Sequence, residues 1–300
     1  MKKLLLIAMM AVVAGCSPKS SERNMIEAHR LAKAGEWQDV LDLTTQRVKD
    51  VPGDMNAKVL KALAIMNTNG DNSDLREEAV DLMRQATSTE PERYDYQLVY
   101  GWILLDYGRT SDALLPLKTA YDLHIKEVSK DAVIGQDVQG TIKYALAVCY
   151  RKNKMYPEAI KFYEQALKST PYSNWPSIYS DIAICYVLQK NYAKAMEWCN
   201  KARNLAAKVN SETAEKYPHT DLITLNLAII HDYLSWPANN KANSAAFVNA
   251  SITWYRQAKK EFSQKYKETD DVAEKTDIQR KMLLIDKRIL EQTARLKPKQ

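Results

Sequence analysis

The side chains in this chain that could do chemistry are few and scattered. Histidines stand at His29, His124, His219 and His231. His219 lies two residues before Asp221, and His231 directly precedes Asp232. A carboxylate beside an imidazole is the pairing that orients a general base for a nucleophile. Helical periodicity does not place either pair on one face with a Ser or Cys, so no catalytic centre assembles. The motifs H-E-x-x-H and C-x-x-C are absent, which leaves no zinc signature. The eight glycines are well separated and cannot form a phosphate cradle of the G-x-G-x-x-G or G-x-x-x-x-G-K-[ST] type. The expectation is a protein that is not an enzyme and holds no metal or cofactor.

Cys16 is the exception to this scatter. Lys2 and Lys3 precede an apolar run from Leu4 to Val13, ten residues that are too few to span a bilayer stably. Such a run reads as the h-region of a secretory signal. It ends in Val13-Ala14-Gly15-Cys16, which resembles a bacterial lipobox. That resemblance implies a signal peptide over 1–15, lipidation of Cys16, and a short polar linker completing 16–21. Two or more acyl chains anchor a protein stably where one does not, so the expected protein is tethered to a membrane without crossing it. Ser17, next to the modified cysteine, resembles the default for outer-membrane sorting. The expected location is the bacterial cell envelope, lipid-anchored at the outer membrane and facing the periplasm.

The elements behind the leader reveal themselves through recurring small residues. Tyr144-Ala145-Leu146-Ala147-Val148-Cys149-Tyr150 aligns with Ser180-Asp181-Ile182-Ala183-Ile184-Cys185-Tyr186 at an offset of 36. The same offset brings Ala159, Tyr163 and Ala166 onto Ala195, Cys199 and Ala202. Two antiparallel helices approach most closely at their crossing point, and a small side chain on each lets the backbones draw near the lower end of the usual 8–10 Å range. Ala147 facing Ala159, and Ala183 facing Ala195, suit that point, with Tyr150, Tyr163 and Tyr186 filling the gaps between successive hairpins. Cys149 and Cys185 fall at equivalent positions, roughly 10 Å apart by helix packing and beyond disulfide reach. With Cys199 they form an odd set, so all three are expected to be buried small hydrophobes.

This pattern resembles the tetratricopeptide repeat, a helical hairpin of about 34 residues. The template extends to Gly101, Gly108, Ala113 and Leu117, to Ala64, Ala79 and Ala86, and to a degenerate first unit at Ala28, Gly35 and Val40. A last unit contains Leu227, Ala228, Ser251, Tyr255 and Ala258. The expected fold is all-α, a right-handed superhelical solenoid of about six antiparallel helix pairs over 22–262. His231 stands where that repeat places its packing Tyr and reads as a core histidine. Polar excursions are expected at His124–Gln139, Asn204–Asp221 and Trp236–Phe247. Apolar residues at helical spacing from Val272 to Leu296 predict a capping helix over 270–296, with a polar outer face because nothing follows it. Pro116 falls inside the second helix of its unit, where it should remove a hydrogen bond or bend the helix.

The resemblance also implies where a ligand would sit. First helices of such repeats line a concave groove, which places Leu98, Trp102 and Leu105 there, then Tyr144, Val148, Arg151 and Lys152. Ile184, Val187, Leu225, Ile229 and Tyr233 complete the set. Such an apolar and aromatic surface suits an amphipathic helix or extended hydrophobic peptide. The Lys/Asn/Arg cluster that clamps a C-terminal carboxylate in some family members is missing here. With Lys2 and Lys3 set aside, 41 basic residues face 37 acidic ones without a basic block, which argues against nucleic acid. The expected role is a periplasmic scaffold for an envelope protein or peptide, in cell-envelope assembly or secretion. The alternative is a nutrient- or glycan-binding outer-membrane lipoprotein, for which 6 Trp and 17 Tyr offer stacking platforms.

Overall fold

The computed structural model describes residues 23–68, 72–128, 135–213, 220–235, 244–270 and 272–296. Among them all regular secondary structure is helical, and no helix is long and apolar enough to cross a membrane. The chain divides into two compact units, Met1–Ser173 and Asn174–Gln300.

The first unit stacks four helical hairpins. They are α1 (Arg23–Ala34) with α2 (Trp37–Asp50), α3 (Met55–Thr68) with α4 (Ser73–Thr89), α5 (Tyr94–Asp106) with α6 (Thr110–Val128), and α7 (Gly135–Lys152) with α8 (Tyr156–Ala166). A single turn, α9 (Thr170–Ser173), packs back on α7. Each hairpin's first helix touches the first helix of the next, so α1, α3, α5 and α7 form one face of the stack. The second unit holds two more hairpins, α10 (Pro176–Leu188) with α11 (Tyr192–Thr213) and α12 (Thr220–Leu234) with α13 (Ser244–Glu268). A final helix, α14 (Val272–Leu296), packs along α13. The six hairpins lie where the small-residue pattern places them.

Close approach is the reason for that agreement. Ala64, Ala79, Ala113, Ala147, Ala159, Ala183, Ala195 and Ala258 are all fully buried. Ala183 and Ala195 share one core with Val187, Cys199, Leu227 and Ile230. Gly101 goes further: a Cβ added there would lie 2.5 Å from Leu117 Cγ, so α5 meets α6 with no room for a methyl group. Aromatic rings fill the larger gaps. Phe162 of α8 meets Tyr121 of α6 edge-on at 5.6 Å and stacks on Tyr150 of α7 at 5.4 Å.

The tight turns also repeat. Gly35, Gly108, Lys154 and Lys190 all take left-handed φ values, between 61° and 83°. At each one the amide donates to the carbonyl three residues back, and the next amide donates five residues back, as in Gly108→Leu105 with Arg109→Leu104. This paired bond closes the last turn of the first helix and reverses the chain. Two sites use glycine, which adopts such φ freely, and two force a lysine into it. The wider turn before α4 is closed by Asn72, whose side chain accepts from the amides of Asp74 at 3.0 Å and Leu75 at 3.2 Å.

The described parts of the polar excursions are helix ends: α6 continues to Val128, and α11 runs to Thr213, with Ala202 and Ala206 packed against Ile223 and Tyr179. One expectation is revised. The outer face of α14 is not uniformly polar, since Val272, Leu283 and Leu290 are each more than 70 % exposed. Lys259 of α13 bridges to Asp286 of α14 at 2.6 and 2.7 Å while both side chains stay partly exposed. Pro116 is buried within α6, which continues through it.

Two substitutions test these constraints by thermal melting. Gly101→Ala should destabilise the chain by about 1–3 kcal/mol, because fully buried Leu117 cannot yield to the new methyl. Lys190→Gly should stabilise it by roughly 0.5–1 kcal/mol, by relieving a side chain held at left-handed φ.

Candidate functional site

In the first unit the groove residues join an aromatic ladder. Trp102 of α5 lies 6.2 Å from Tyr144 of α7, which in turn stacks on Tyr172 at 5.7 Å and meets Tyr163 at 6.0 Å. Tyr172 is held from its other end, its hydroxyl 2.7 Å from that of Thr141. Gly140 permits this, because a Cβ there would strike Ser169 and Tyr172. Leu98, Leu105, Tyr144 and Val148 are buried by this packing, so they form the inter-hairpin core rather than an open surface. Carrying a pattern over identifies the helix face but not how much of it the next hairpin covers.

The two cations of the set also serve the packing. Arg151 Nε donates to the Tyr163 hydroxyl at 3.1 Å. Lys152 Nζ donates to the Leu105 carbonyl at 3.1 Å, placing a positive charge on the last turn of α5 where the helix dipole favours it. Trp102 remains half-buried, with an indole N–H that meets no acceptor among the described residues. Tyr144, Tyr163 and Tyr172 of this ladder are engaged with one another.

The second unit is different. Val187 is buried in the α10–α12 core and Ile184 is half-buried, but Leu225, Ile229 and Tyr233 of α12 line an open cleft of about 500 Å³. Leu284 and Ile285 of α14 form its other apolar wall, and Lys281 and Arg288 of the same helix also line it. Asp232 and Tyr255 complete the lining. The Asp232 carboxylate is buried, accepting from the Tyr255 hydroxyl at 3.1 Å and from Gln292 Nε2 of α14. Burial first, and then the neighbouring Asp232 charge, raise the Tyr255 hydroxyl well above the ordinary tyrosine range, so it stays protonated and keeps donating. Arg295 secures α14 further, donating to Ser235 Oγ at 2.7 Å and to the Ser235 carbonyl at 2.5 Å. The α14 residues escaped sequence reading because apolar spacing marks a helix face without saying which groove that face meets.

Asp232 is therefore turned toward Tyr255 and Gln292. His231 Nδ1 is buried without a partner among the described residues, and its ring packs 5.9 Å from Phe247, as suits a core histidine. Burial, followed by the positive charge of Arg203, lowers its pKa below the ordinary value. Cys149, Cys185 and Cys199 are free and buried. Burial pushes the Cys149 thiol up to about 11 and the Cys199 thiol up to about 12, which leaves both poor nucleophiles at neutral pH. Among the described residues no group of three or more His, Cys, Asp or Glu side chains is placed to hold a metal. The leader 1–15, the segment 16–21 with Cys16, and His219 lie outside the described residues.

The fold defines a structural class: an all-α stack of antiparallel helical hairpins of the tetratricopeptide-repeat kind. Residues 141–173, covering α9 and all but the first six residues of the α7–α8 hairpin, match the tetratricopeptide repeat family model. PilW, described with its crystal structure as a widely conserved type IV pilus biogenesis factor, is similar at 15 % identity and a TM-score of 0.58. The similarity covers 82 % of this chain and 96 % of PilW. A crystal structure of MamA is similar at 15 % identity and a TM-score of 0.50, over 66 % of this chain and all of that one. A MamA chain from Desulfovibrio magneticus RS-1 gives 14 % identity and 0.50, over 64 % and 98 % of the two chains. At these identities the likeness is one of fold. No curated protein sequence matches the chain significantly.

His231 makes stability depend on pH. Its folded pKa lies below its unfolded value near 6.5, so as pH falls through about 6.5 the unfolded chain takes up the proton first and stability declines. The melting temperature should drop between pH 7.5 and 5.5, and His231→Phe should reduce the size of that drop.

Proposed function

We propose that this chain is a lipid-anchored scaffold of the bacterial cell envelope, facing the periplasm and serving envelope assembly or secretion. It binds another envelope protein or a segment of one. The observation that carries this reading is the open apolar cleft of the second unit on a repeat fold built from helical hairpins. Leu225, Ile229 and Tyr233 lie on a first helix, the side on which such repeats offer their binding surface, and they remain accessible where the equivalent residues of the first unit are covered. The similarity to PilW, a pilus biogenesis factor, supports an envelope setting. Cys16 behind its short apolar leader supplies the tether, through acyl chains that hold without spanning.

Two measurements test the proposal. Mass spectrometry of the membrane fraction should find Cys16 as an acylated N-terminus, and Cys16→Ala should move the protein out of that fraction. Cross-linked pull-down from solubilised envelope should recover a protein partner. Recovery should fall several-fold with Tyr233→Ala, whose side chain is exposed, and with Ile229→Ala, which lines the same cleft. Return of no protein partner, or recovery indifferent to both substitutions, overturns the scaffold role.

A further inference from the structure

The cleft between α12, α13 and α14 combines two kinds of wall. Its apolar surface comes from Leu225, Ile229, Leu284 and Ile285. Its charge comes from Lys281 and Arg288, seven residues apart on α14 and therefore about 10 Å apart along the helix axis. The carboxylate in the lining, Asp232, accepts from Tyr255 and Gln292, and its charge also attracts the Arg288 guanidinium, which leaves Lys281 as the cation of the pair with no carboxylate inside the cleft. Lys281 currently pairs with Asp277 and Arg288 with Glu291, both neighbours on α14 and outside the cleft. Those carboxylates are 57 % and 43 % exposed, and exposed pairs of this kind exchange partners at little cost.

We infer that this cleft binds a short acidic and aliphatic segment of a partner polypeptide, with aliphatic side chains against Leu225, Ile229, Leu284 and Ile285 and carboxylates on Lys281 and Arg288. The spacing favours a peptide over a lipid-like amphiphile. A single anionic head reaches one cation, whereas a chain rising about 3.3 Å per residue reaches both with acidic residues three to four positions apart. A volume of about 500 Å³ accommodates the few aliphatic side chains between them. This inference rests on reading the chain as a protein-binding scaffold and specifies the chemistry of the bound segment.

The test is fluorescence anisotropy with the full-length chain in phosphatidylcholine nanodiscs. The probe is a fluorescein-labelled peptide, Ala-Glu-Leu-Ile-Leu-Glu-Ala, compared with the same peptide carrying Lys for both Glu and with decanoate as competitor. The acidic peptide should bind at least about tenfold tighter than the basic one, and weaken as ionic strength rises. Binding should weaken about tenfold in the Lys281→Ala, Arg288→Ala double variant. Leu284→Glu should abolish it; Leu284 is 63 % exposed, so that variant keeps its fold, as an unchanged melting temperature will verify. Equal binding of both peptides, or indifference to all three substitutions, overturns the inference. So does decanoate displacing the peptide at lower concentration than the unlabelled peptide, which assigns the cleft to an amphiphile. A concentration-dependent dimer dissolved by Leu284→Glu overturns it in favour of a second copy. If the envelope pull-down still returns a partner, undiminished by Lys281→Ala with Arg288→Ala, the scaffold reading stands and this inference alone fails.

Discussion

Each hairpin in this protein depends on two backbones coming closer than ordinary core side chains allow. Gly101 against Leu117 is the extreme case, and the buried alanines of the other hairpins are milder versions of it. A small residue contributes little apolar area itself. Its value is that the larger residues around it reach full contact, and dispersion depends steeply on that contact. Phe162, held between Tyr121 and Tyr150, shows where the bulk goes once the crossing points are closed.

That geometry also overrides local preference in the turns. Gly35 and Gly108 suit their left-handed conformation, while Lys154 and Lys190 adopt it under strain, yet all four make the same pair of backbone hydrogen bonds. The close helix approach sets the reversal, and the residue conforms. The same demand absorbs polar side chains that look functional from their charge. Lys152 completes the end of α5, and Arg151 satisfies the buried Tyr163 hydroxyl. In the first unit, therefore, packing consumes the groove.

The second unit has α14 in addition to its two hairpins, and this changes the outcome. The helix runs along α13, is tied by Lys259 to Asp286 and by Arg295 to Ser235, and stops short of filling the space over α12. A buried carboxylate, Asp232, is affordable there because two donors meet it. The result is an apolar cleft lined in part by the charges of the helix that caps the stack.

What the amino-acid sequence determined by itself was the set of hairpins. The alanine and glycine spacing, the turn glycine at 108 and the apolar period of α14 are local properties, and each states what one helix must bury. Burial of the three cysteines followed from their place in that pattern. What only the tertiary structure decided was which of the buried-facing residues remain open. Leu98, Leu105, Tyr144, Val148 and Val187 carry the same signal as Leu225, Ile229 and Tyr233, but the former are covered by neighbouring helices and the latter face a cleft. Lys281 and Arg288 stand more than 45 residues further along the chain than any residue on that face of α12. Periodicity is a property of one helix, whereas accessibility depends on the distance and angle of the next, and no spacing within a single segment encodes that.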